Sequence, residues 1–142
     1  QFHETKEVEF NPIIKELVED FQEIYEHKKL HVEVEENAAC KVHMNESLAN
    51  ILITNLLKNA MIHTPNEGSI TIRVQSTGIT FTNSTDGPSL DQSRLFTRFY
   101  QADNKKSDST GLGLAIIQSI VHLYHFHISY SFDGKHRFDL RF

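Results

Sequence analysis

Apolar residues recur along the chain with two spacings, and these spacings predict alternating helices and strands. Spacings of three and four residues predict helices over residues 11–28, 45–63 and 112–124. Alternation of apolar and polar residues predicts short strands over residues 32–34, 40–44, 70–74, 79–81, 126–132 and 138–142, with weaker strand character over residues 2–10. The turn residues Ser76-Thr77-Gly78 and Asp133-Gly134 predict two hairpins.

Local capping signals sharpen the predicted ends of the elements. Asn11 is predicted to cap the first helix with Pro12 at its first position, and Asn45 is predicted to cap the second. The second helix should end before Pro65. A turn at Glu36-Asn37 is predicted between the two short strands that follow the first helix.

The order of these elements indicates one α+β domain over residues 1–142. Short turns between neighbouring strands imply a mixed, mainly antiparallel sheet, with helices packed on one face in a two-layer sandwich. The helix over 45–63 is apolar almost all round, so it should lie in the interior. Residues 83–110 form a long polar stretch, and loops of that length are commonly functional lids or disordered.

Composition excludes several classes of protein. The chain has 142 residues with 14 basic and 19 acidic side chains, and a net charge of -5 without a basic block argues against nucleic-acid binding. One cysteine, Cys40, excludes a disulfide framework and is expected in the core. No apolar run approaches the roughly 18–20 residues of a membrane helix. Because the chain begins with Gln1, we expect it to be a piece of a longer protein.

Asn55 and Asn59 share one face of the second helix, since they lie four residues apart. They could hydrogen-bond a neighbouring loop or cap, which is the interpretation that the pair alone favours. Alternatively, their oxygens could face a hydrated Mg²⁺ beside nucleotide phosphates. The nine histidines show no metal-ligand spacing with a carboxylate, so structural or solvent-facing roles are expected for them.

Two further segments carry candidate chemistry. The glycines of residues 110–114 allow close backbone approach, and the N–H groups of a helix start can bind an anion, although a flexible start of the helix explains them equally. The aromatic residues of 95–100 either dock into the core or anchor a lid over about 101–110. In that lid, Lys105 and Lys106 could reach phosphates or could simply be solvated.

In combination and order, three motifs resemble the catalytic ATP-binding domain of sensor histidine kinases, in the GHKL ATPase superfamily. The resemblance covers about residues 8–142 and implies the Bergerat α/β sandwich. The N box of that family is similar to Asn55-Leu56-Leu57-Lys58-Asn59-Ala60 with His63-Thr64. The F box is similar to Leu95-Phe96-Thr97-Arg98-Phe99-Tyr100. The G2 box is similar to Thr110-Gly111-Leu112-Gly113-Leu114-Ala115-Ile116.

The resemblance implies roles for individual residues. Asn59 would bind Mg²⁺, and Asn55 would line the phosphate and metal region, so these two asparagines are the expected catalytic positions. Gly111 and Gly113 would contact phosphates at the helix start. The remaining residues implied at the nucleotide site are Lys58 and His63 of the N box, Thr110, Leu112 and Leu114 of the G2 box, and the lid anchors Phe96, Phe99 and Tyr100.

The chain departs from the family pattern at two places. Asn83 takes the position of the aspartate that reads the adenine amino group, with Asp86 as the rival candidate three residues later. An asparagine oxygen can still accept from that amine, but without the charge of a carboxylate. Gly87 alone represents the two glycines of this box. Ile62 stands where many relatives carry a Lys or Arg that reaches the phosphates. This loss is expected to weaken ATP binding unless Lys58 or the lid lysines substitute.

The implied function is binding of ATP with Mg²⁺ and delivery of the γ-phosphate to a histidine on a separate dimerisation domain. That domain is absent here, so the isolated chain is expected to bind nucleotide without autophosphorylating. The expected downstream partner is a response regulator receiver domain. The fragment itself is expected to lie in the cytoplasm without entering the membrane, as part of an inner-membrane sensor.

Two other functions remain open. A degenerate, non-catalytic GHKL module for partner binding or regulation is the alternative, and the altered positions 62 and 83 favour it. An anti-sigma-factor serine kinase is a third possibility, against which the F box argues.

Overall fold

The computed structural model describes residues 4–90 and 111–142, with side chains from Leu114 onwards in the second range. The elements follow the chain in the order β1 (Lys6–Glu9), α1 (Phe10–Asp20), α2 (Gln22–His27), β2 (His31–Glu36), β3 (Lys41–Met44), α3 (Glu46–His63), β4 (Ser69–Gln75), β5 (Gly78–Ser84), α4 (Gly111–Tyr124), β6 (His127–Phe132) and β7 (Lys135–Arg141).

A five-stranded sheet in the order β2-β4-β5-β7-β6 forms one layer of the described structure. Only β2 and β4 run parallel, and the other neighbours are antiparallel. The predicted hairpins β4–β5 and β6–β7 are both confirmed. Gly134 has φ of +94° in the second turn, a left-handed conformation that glycine adopts without a Cβ penalty.

The helices α1, α3 and α4 pack on one face of this sheet, and the inward side chains of both layers form the core. Inward positions alternate along each strand, as in Ile70, Ile72 and Val74 of β4. Cys40 is completely buried, as expected from its place in an apolar alternation. The predicted two-layer α+β sandwich with a mainly antiparallel sheet is therefore confirmed.

The predicted turn at Glu36-Asn37 matches a bend at residues 37–38, but the strands on either side of it do not pair with each other. β2 pairs in parallel with β4, whereas β3 pairs antiparallel with β1 in a separate two-stranded sheet. The backbone N–H of Asn37 donates to Val74 O at 2.9 Å, so the chain stays beside β4 up to Asn37. The apolar Val32 then lies beside Ile70, which keeps both on the core side of the sheet.

The predicted cap of the first helix is also wrong. The helix begins at Phe10, so Asn11 lies within its first turn. The Asn11 amide donates to Glu36 Oε1 and to Ala38 O, each at 3.0 Å, and its oxygen accepts from Cys40 N–H at 2.9 Å. The hydrogen bond from the Asn11 amide, and to a smaller extent the one from the Lys15 ammonium, holds the pKa of the Glu36 carboxyl below its usual value. The predicted single helix also divides at Phe21 into α1 and α2.

Helix α3 carries the predicted cap at its start and an unpredicted one at its end. Asn45 Oδ1 accepts from Leu48 N–H at 3.0 Å, which confirms the N-cap. At the other end, Lys28 Nζ donates to Met61 O at 2.7 Å and to Thr64 O at 2.8 Å. A cation bound to the last carbonyls of a helix also interacts favourably with the helix dipole.

Candidate functional site

One face of α3 is open, which differs from the enclosed helix that its composition predicts. Ile51 is 36% exposed and Lys58 is also exposed, while Asn55, Asn59 and Ile62 are half-buried. These positions follow the spacing of one helical face. The opposite side of α3 is buried against the core. The residues of the predicted N box therefore share a partly open surface.

The two asparagines of this face make few contacts with the described protein. Asn55 Nδ2 donates to Ile51 O at 2.7 Å, a bond within its own helix turn. The Asn59 side chain forms no hydrogen bond with any residue of 4–90 or 114–142. Within those ranges, neither side chain bonds a neighbouring loop, which was the simpler explanation of the pair. Both amide oxygens are without a donor from those residues.

Asn83 is the inward-facing polar residue at the end of β5. Its side chain is 1% exposed, and its backbone lies in register with His136 of β7. Asn83 Nδ2 donates to His63 O at 3.4 Å and to Ser84 O at 3.2 Å. Because both partners are carbonyl oxygens, the amide atom facing them is the nitrogen. The other polar atom of the side chain, Oδ1, receives no hydrogen bond from a described residue.

Asp86 and Gly87 lie in the segment that leaves β5, and both are exposed. Gly87 N–H donates to Thr85 Oγ1 at 3.1 Å in a local turn. A Cβ at Gly87 would meet only that oxygen, at 3.7 Å, so the local backbone does not demand glycine. Of the two rival positions, Asn83 is enclosed at the strand end and Asp86 faces solvent.

A buried polar group next to Asn83 was missed by the sequence analysis. Tyr130 Oη and His136 Nδ1 share a hydrogen bond of 2.7 Å, and Leu90 N–H donates to the same hydroxyl at 2.9 Å. The His63 ring meets the His136 ring edge-on, with centroids 6.2 Å apart. His136 is only 3% exposed, and its inward position in the alternation with Phe138 and Leu140 is the signal that could have revealed it.

The G2 segment is only partly covered by the structure. Helix α4 begins at Gly111, one residue before its predicted start, so the backbone of Gly111, Leu112 and Gly113 forms its first turn. Leu114 is 4% exposed and belongs to the core. Outside the described residues lie the predicted lid and its anchors, namely Phe96, Phe99, Tyr100, Lys105, Lys106 and Thr110.

A polar hollow of about 350 Å³ occupies the opposite face of the sheet. Its lining includes Arg73, Thr82 and Arg137, whose side chains alternate with the inward ones of the same strands. None of the predicted nucleotide-site residues lines it. The candidate site is therefore the region around the open face of α3 and the end of β5, not this hollow.

The described residues hold neither a metal-binding cluster nor a membrane-spanning helix. In that part of the chain, no three His, Cys, Asp or Glu side chains are grouped so that they could hold a metal ion. Among the same residues, none of the helices is both long and apolar enough to cross a membrane.

Comparison with known proteins gives a consistent result. Residues 44–142 match the model of the family described as histidine kinase-, DNA gyrase B-, and HSP90-like ATPase. The heme sensor protein HssS of Staphylococcus epidermidis is 36% identical over 137 residues, covering 92% of this chain and 30% of that protein. HssS of Staphylococcus aureus strain Newman is 33% identical over 134 residues, covering 91% and 29%. The chain thus spans about 30% of the length of these relatives.

Solved structures show the same fold at lower identity. The nucleotide-free catalytic domain of the histidine kinase ThkA has a TM-score of 0.79 at 23% identity, with 96% of this chain and 93% of that one covered. The Acinetobacter baumannii histidine kinase AdeS has a TM-score of 0.75 at 21% identity, covering 97% and 66%. The chain therefore belongs to the histidine kinase-, DNA gyrase B- and HSP90-like ATPase family, as an ATPase domain of the sensor histidine kinase kind.

Proposed function

We propose that this domain binds ATP with Mg²⁺ between α3, the end of β5 and the start of α4, and presents the γ-phosphate to a histidine of a separate dimerisation domain. The observation that carries the proposal is the open face of α3, where Asn59 is half-buried yet its side chain hydrogen-bonds no residue of 4–90 or 114–142. A polar side chain held at a partly open surface without a protein partner suits a ligand contact.

The donor set of this face fits Mg²⁺. Amide oxygens are hard ligands, and Mg²⁺ takes only one or two protein oxygens when phosphates and waters supply the others. Asn59 would supply one such oxygen, and Asn55, whose nitrogen is engaged within the helix, would turn its oxygen toward the same region. When bound, the ion would neutralise charge on the phosphate oxygens.

The remaining work of phosphoryl transfer is positioning, because the chemistry requires little covalent help from the protein. Lys58 would offer its ammonium to the phosphates, which would offset the apolar Ile62. The first-turn N–H groups of α4, from Gly111 to Gly113, have no acceptor within the helix and would bind phosphate oxygens. At the base end of the proposed nucleotide site, Asn83 Oδ1 would accept a hydrogen bond from the adenine amine.

The partners of the domain follow from the same proposal. The acceptor histidine would come from a dimerisation domain of the same kinase, so the isolated chain would bind nucleotide without phosphorylating itself. A response regulator receiver domain would take the phosphoryl group next. The ThkA structure solved with the response regulator TrrA, at a TM-score of 0.76 and 20% identity, supports this kind of partner. The domain would act in the cytoplasm as part of an inner-membrane sensor.

A degenerate module that binds partners without nucleotide is the competing function. Two observations favour it: Asn83 lacks the charge of a carboxylate, and Ile62 is a half-buried apolar side chain beside the open face. The two functions differ in a simple property, because only the first requires affinity for Mg²⁺-nucleotide.

Calorimetric titration of the chain with ADP and with a non-hydrolysable ATP analogue, each with Mg²⁺ or with EDTA, separates the two functions. We expect binding that weakens without Mg²⁺. Asn59→Ala should remove most of the Mg²⁺-dependent part of the affinity. The matched control is Asn50→Ala on the same helix, whose amide donates only to Glu46 O in the first turn.

Each outcome has a distinct meaning. Absence of binding at millimolar nucleotide would favour the degenerate module. Binding with an unchanged Mg²⁺ dependence in Asn59→Ala would remove the role assigned to Asn59 while leaving nucleotide binding intact. A phosphohistidine formed on the isolated chain would contradict the requirement for a separate acceptor domain.

A further inference from the structure

The segment after β5 is fastened by a hydrogen bond to a side chain of β6. β5 ends at Ser84, β7 is its neighbour, and β6 lies beyond β7. Leu90 reaches β6, where its backbone N–H donates to Tyr130 Oη at 2.9 Å and its side chain is 6% exposed. Residues 85–90 therefore link the Asn83 position at the end of β5 to the hydroxyl of Tyr130, a side chain of β6.

The anchor is itself held in place. Tyr130 is 8% exposed, and its hydroxyl also bonds His136 Nδ1 at 2.7 Å. Its ring packs on Phe138, with centroids 5.1 Å apart. The packed ring and the two hydrogen bonds hold the Tyr130 oxygen at one position, where it accepts from Leu90 N–H. Moving the oxygen away would cost both hydrogen bonds.

The same group of side chains reaches Asn83 and α3. His136 lies in register with Asn83 on the adjacent strand, and its ring meets that of His63. The carbonyl of His63 accepts from the Asn83 amide at 3.4 Å. One set of contacts thus connects the last turn of α3, the inward residue of β5 and the anchored end of residues 85–90.

We infer that Tyr130 and His136 are positioning residues for nucleotide binding, which hold residues 85–90 against Asn83 and so shape the base-binding end of the site. This inference rests on the proposed binding of ATP at this site. Neither side chain is assigned a contact with the nucleotide. Their effect acts through the backbone at Leu90 and through the enclosure of Asn83.

The test compares two tyrosines whose hydroxyls accept a backbone N–H. Tyr130→Phe removes the acceptor of Leu90 N–H and the partner of His136 Nδ1. Tyr124→Phe removes the acceptor of Asn45 N–H at 3.1 Å, at the start of α3. Both changes keep the ring. The measurements are the Kd for ADP, the Kd for inosine diphosphate, urea unfolding, and amide hydrogen exchange at Leu90.

In Tyr130→Phe we expect ADP binding about three- to tenfold weaker, as for loss of the one hydrogen bond that fixes Leu90, and a smaller preference for ADP over inosine diphosphate. Exchange at Leu90 should accelerate. Tyr124→Phe, which loses the hydrogen bond to Asn45 N–H, should lose some stability but keep both affinities. His136→Asn, which retains a polar atom near the Nδ1 position, should bind ADP more tightly than His136→Leu.

Results that would overturn the inference are specific. If wild type binds ADP and Tyr130→Phe is folded with unchanged Kd values and unchanged base preference, the tyrosine only stabilises the fold. Equal ADP affinities in His136→Asn and His136→Leu, both folded, would exclude the part assigned to His136. If wild type itself fails to bind ADP, the proposed function fails and the inference falls with it.

Discussion

The orientation of the Asn83 amide predicts which base the domain accepts. Its nitrogen donates to His63 O and Ser84 O, so the oxygen is the atom left for a ligand. A flipped amide would place its oxygen 3.4 Å and 3.2 Å from two carbonyl oxygens. Two acceptor–acceptor contacts in place of two hydrogen bonds cost on the order of 2–4 kcal/mol, so the observed orientation should persist.

The size of the expected selectivity follows from that orientation. Adenine carries an amine at C6, which donates to Asn83 Oδ1, whereas hypoxanthine carries a carbonyl there. Two facing acceptors leave a buried group unpaired at a cost of about 1–3 kcal/mol, which corresponds to about 5- to 150-fold in Kd. We therefore expect ADP to bind at least fivefold more tightly than inosine diphosphate.

Titration of three proteins with both nucleotides tests the prediction. Wild type should prefer ADP, Asn83→Ala should bind ADP about two- to tenfold more weakly and lose most of the preference, and Asp86→Ala should keep it. Asp86 is the matched control because it is the rival base-reading position and its side chain is exposed. Urea unfolding of each variant excludes a loss of folded protein as the cause.

Equal binding of both nucleotides by wild type would refute the role assigned to Asn83, since an oriented acceptor must discriminate. Loss of the preference in Asp86→Ala, together with its retention in Asn83→Ala, would refute that role as well. That second pattern would assign the base to the exposed carboxylate three residues further along the chain.

Three predictions concern stability and use urea denaturation as the measurement. Lys28→Met should lower the free energy of unfolding by about 2 kcal/mol, because two charge-assisted bonds at the end of α3 are lost; a change below 0.5 kcal/mol would refute the capping role. Asn11→Ala should cost about 2–4 kcal/mol, since the buried Cys40 N–H loses its acceptor; a near-neutral variant would show that water replaces the amide. Burial raises the pKa of the Cys40 thiol from 9.0 to about 11. Because the thiol of the unfolded chain therefore ionises at lower pH, the free energy of unfolding of wild type should fall by about 1–3 kcal/mol relative to Cys40→Ala between pH 9 and 11. Parallel pH profiles of the two proteins would contradict this.

The sequence predicts those features whose determinants are local. Asn45 caps α3 as expected because its partner, Leu48, is three residues away. The hairpin at Gly134 is likewise encoded in two adjacent residues. The three motifs of the family resemblance are also contiguous, so the sequence alone indicates the family that the match over residues 44–142 shows.

The failures arise where partners lie far apart in the sequence. Asn11 has a good capping sequence, yet its side chain bonds residues 25 to 29 positions away. The pairing of β2 with β4 depends on a strand that appears only after α3. The hydrogen bonds among Leu90, Tyr130 and His136 were missed for the same reason, because Leu90 and Tyr130 are 40 residues apart. The inward position of His136 can be recognised only once its strand is identified.

The parallel edge strand β2 belongs to the folded sheet but lies outside the region that matches the family. The family match begins at residue 44, whereas β2 covers His31–Glu36 and pairs with β4 at six consecutive positions. A protein trimmed to the matched region would expose the backbone groups of β4 as a new sheet edge, which is prone to aggregation. It would also lack the Lys28 ammonium at the end of α3. An expression boundary for the domain therefore belongs before β1, well upstream of the motifs that identify it.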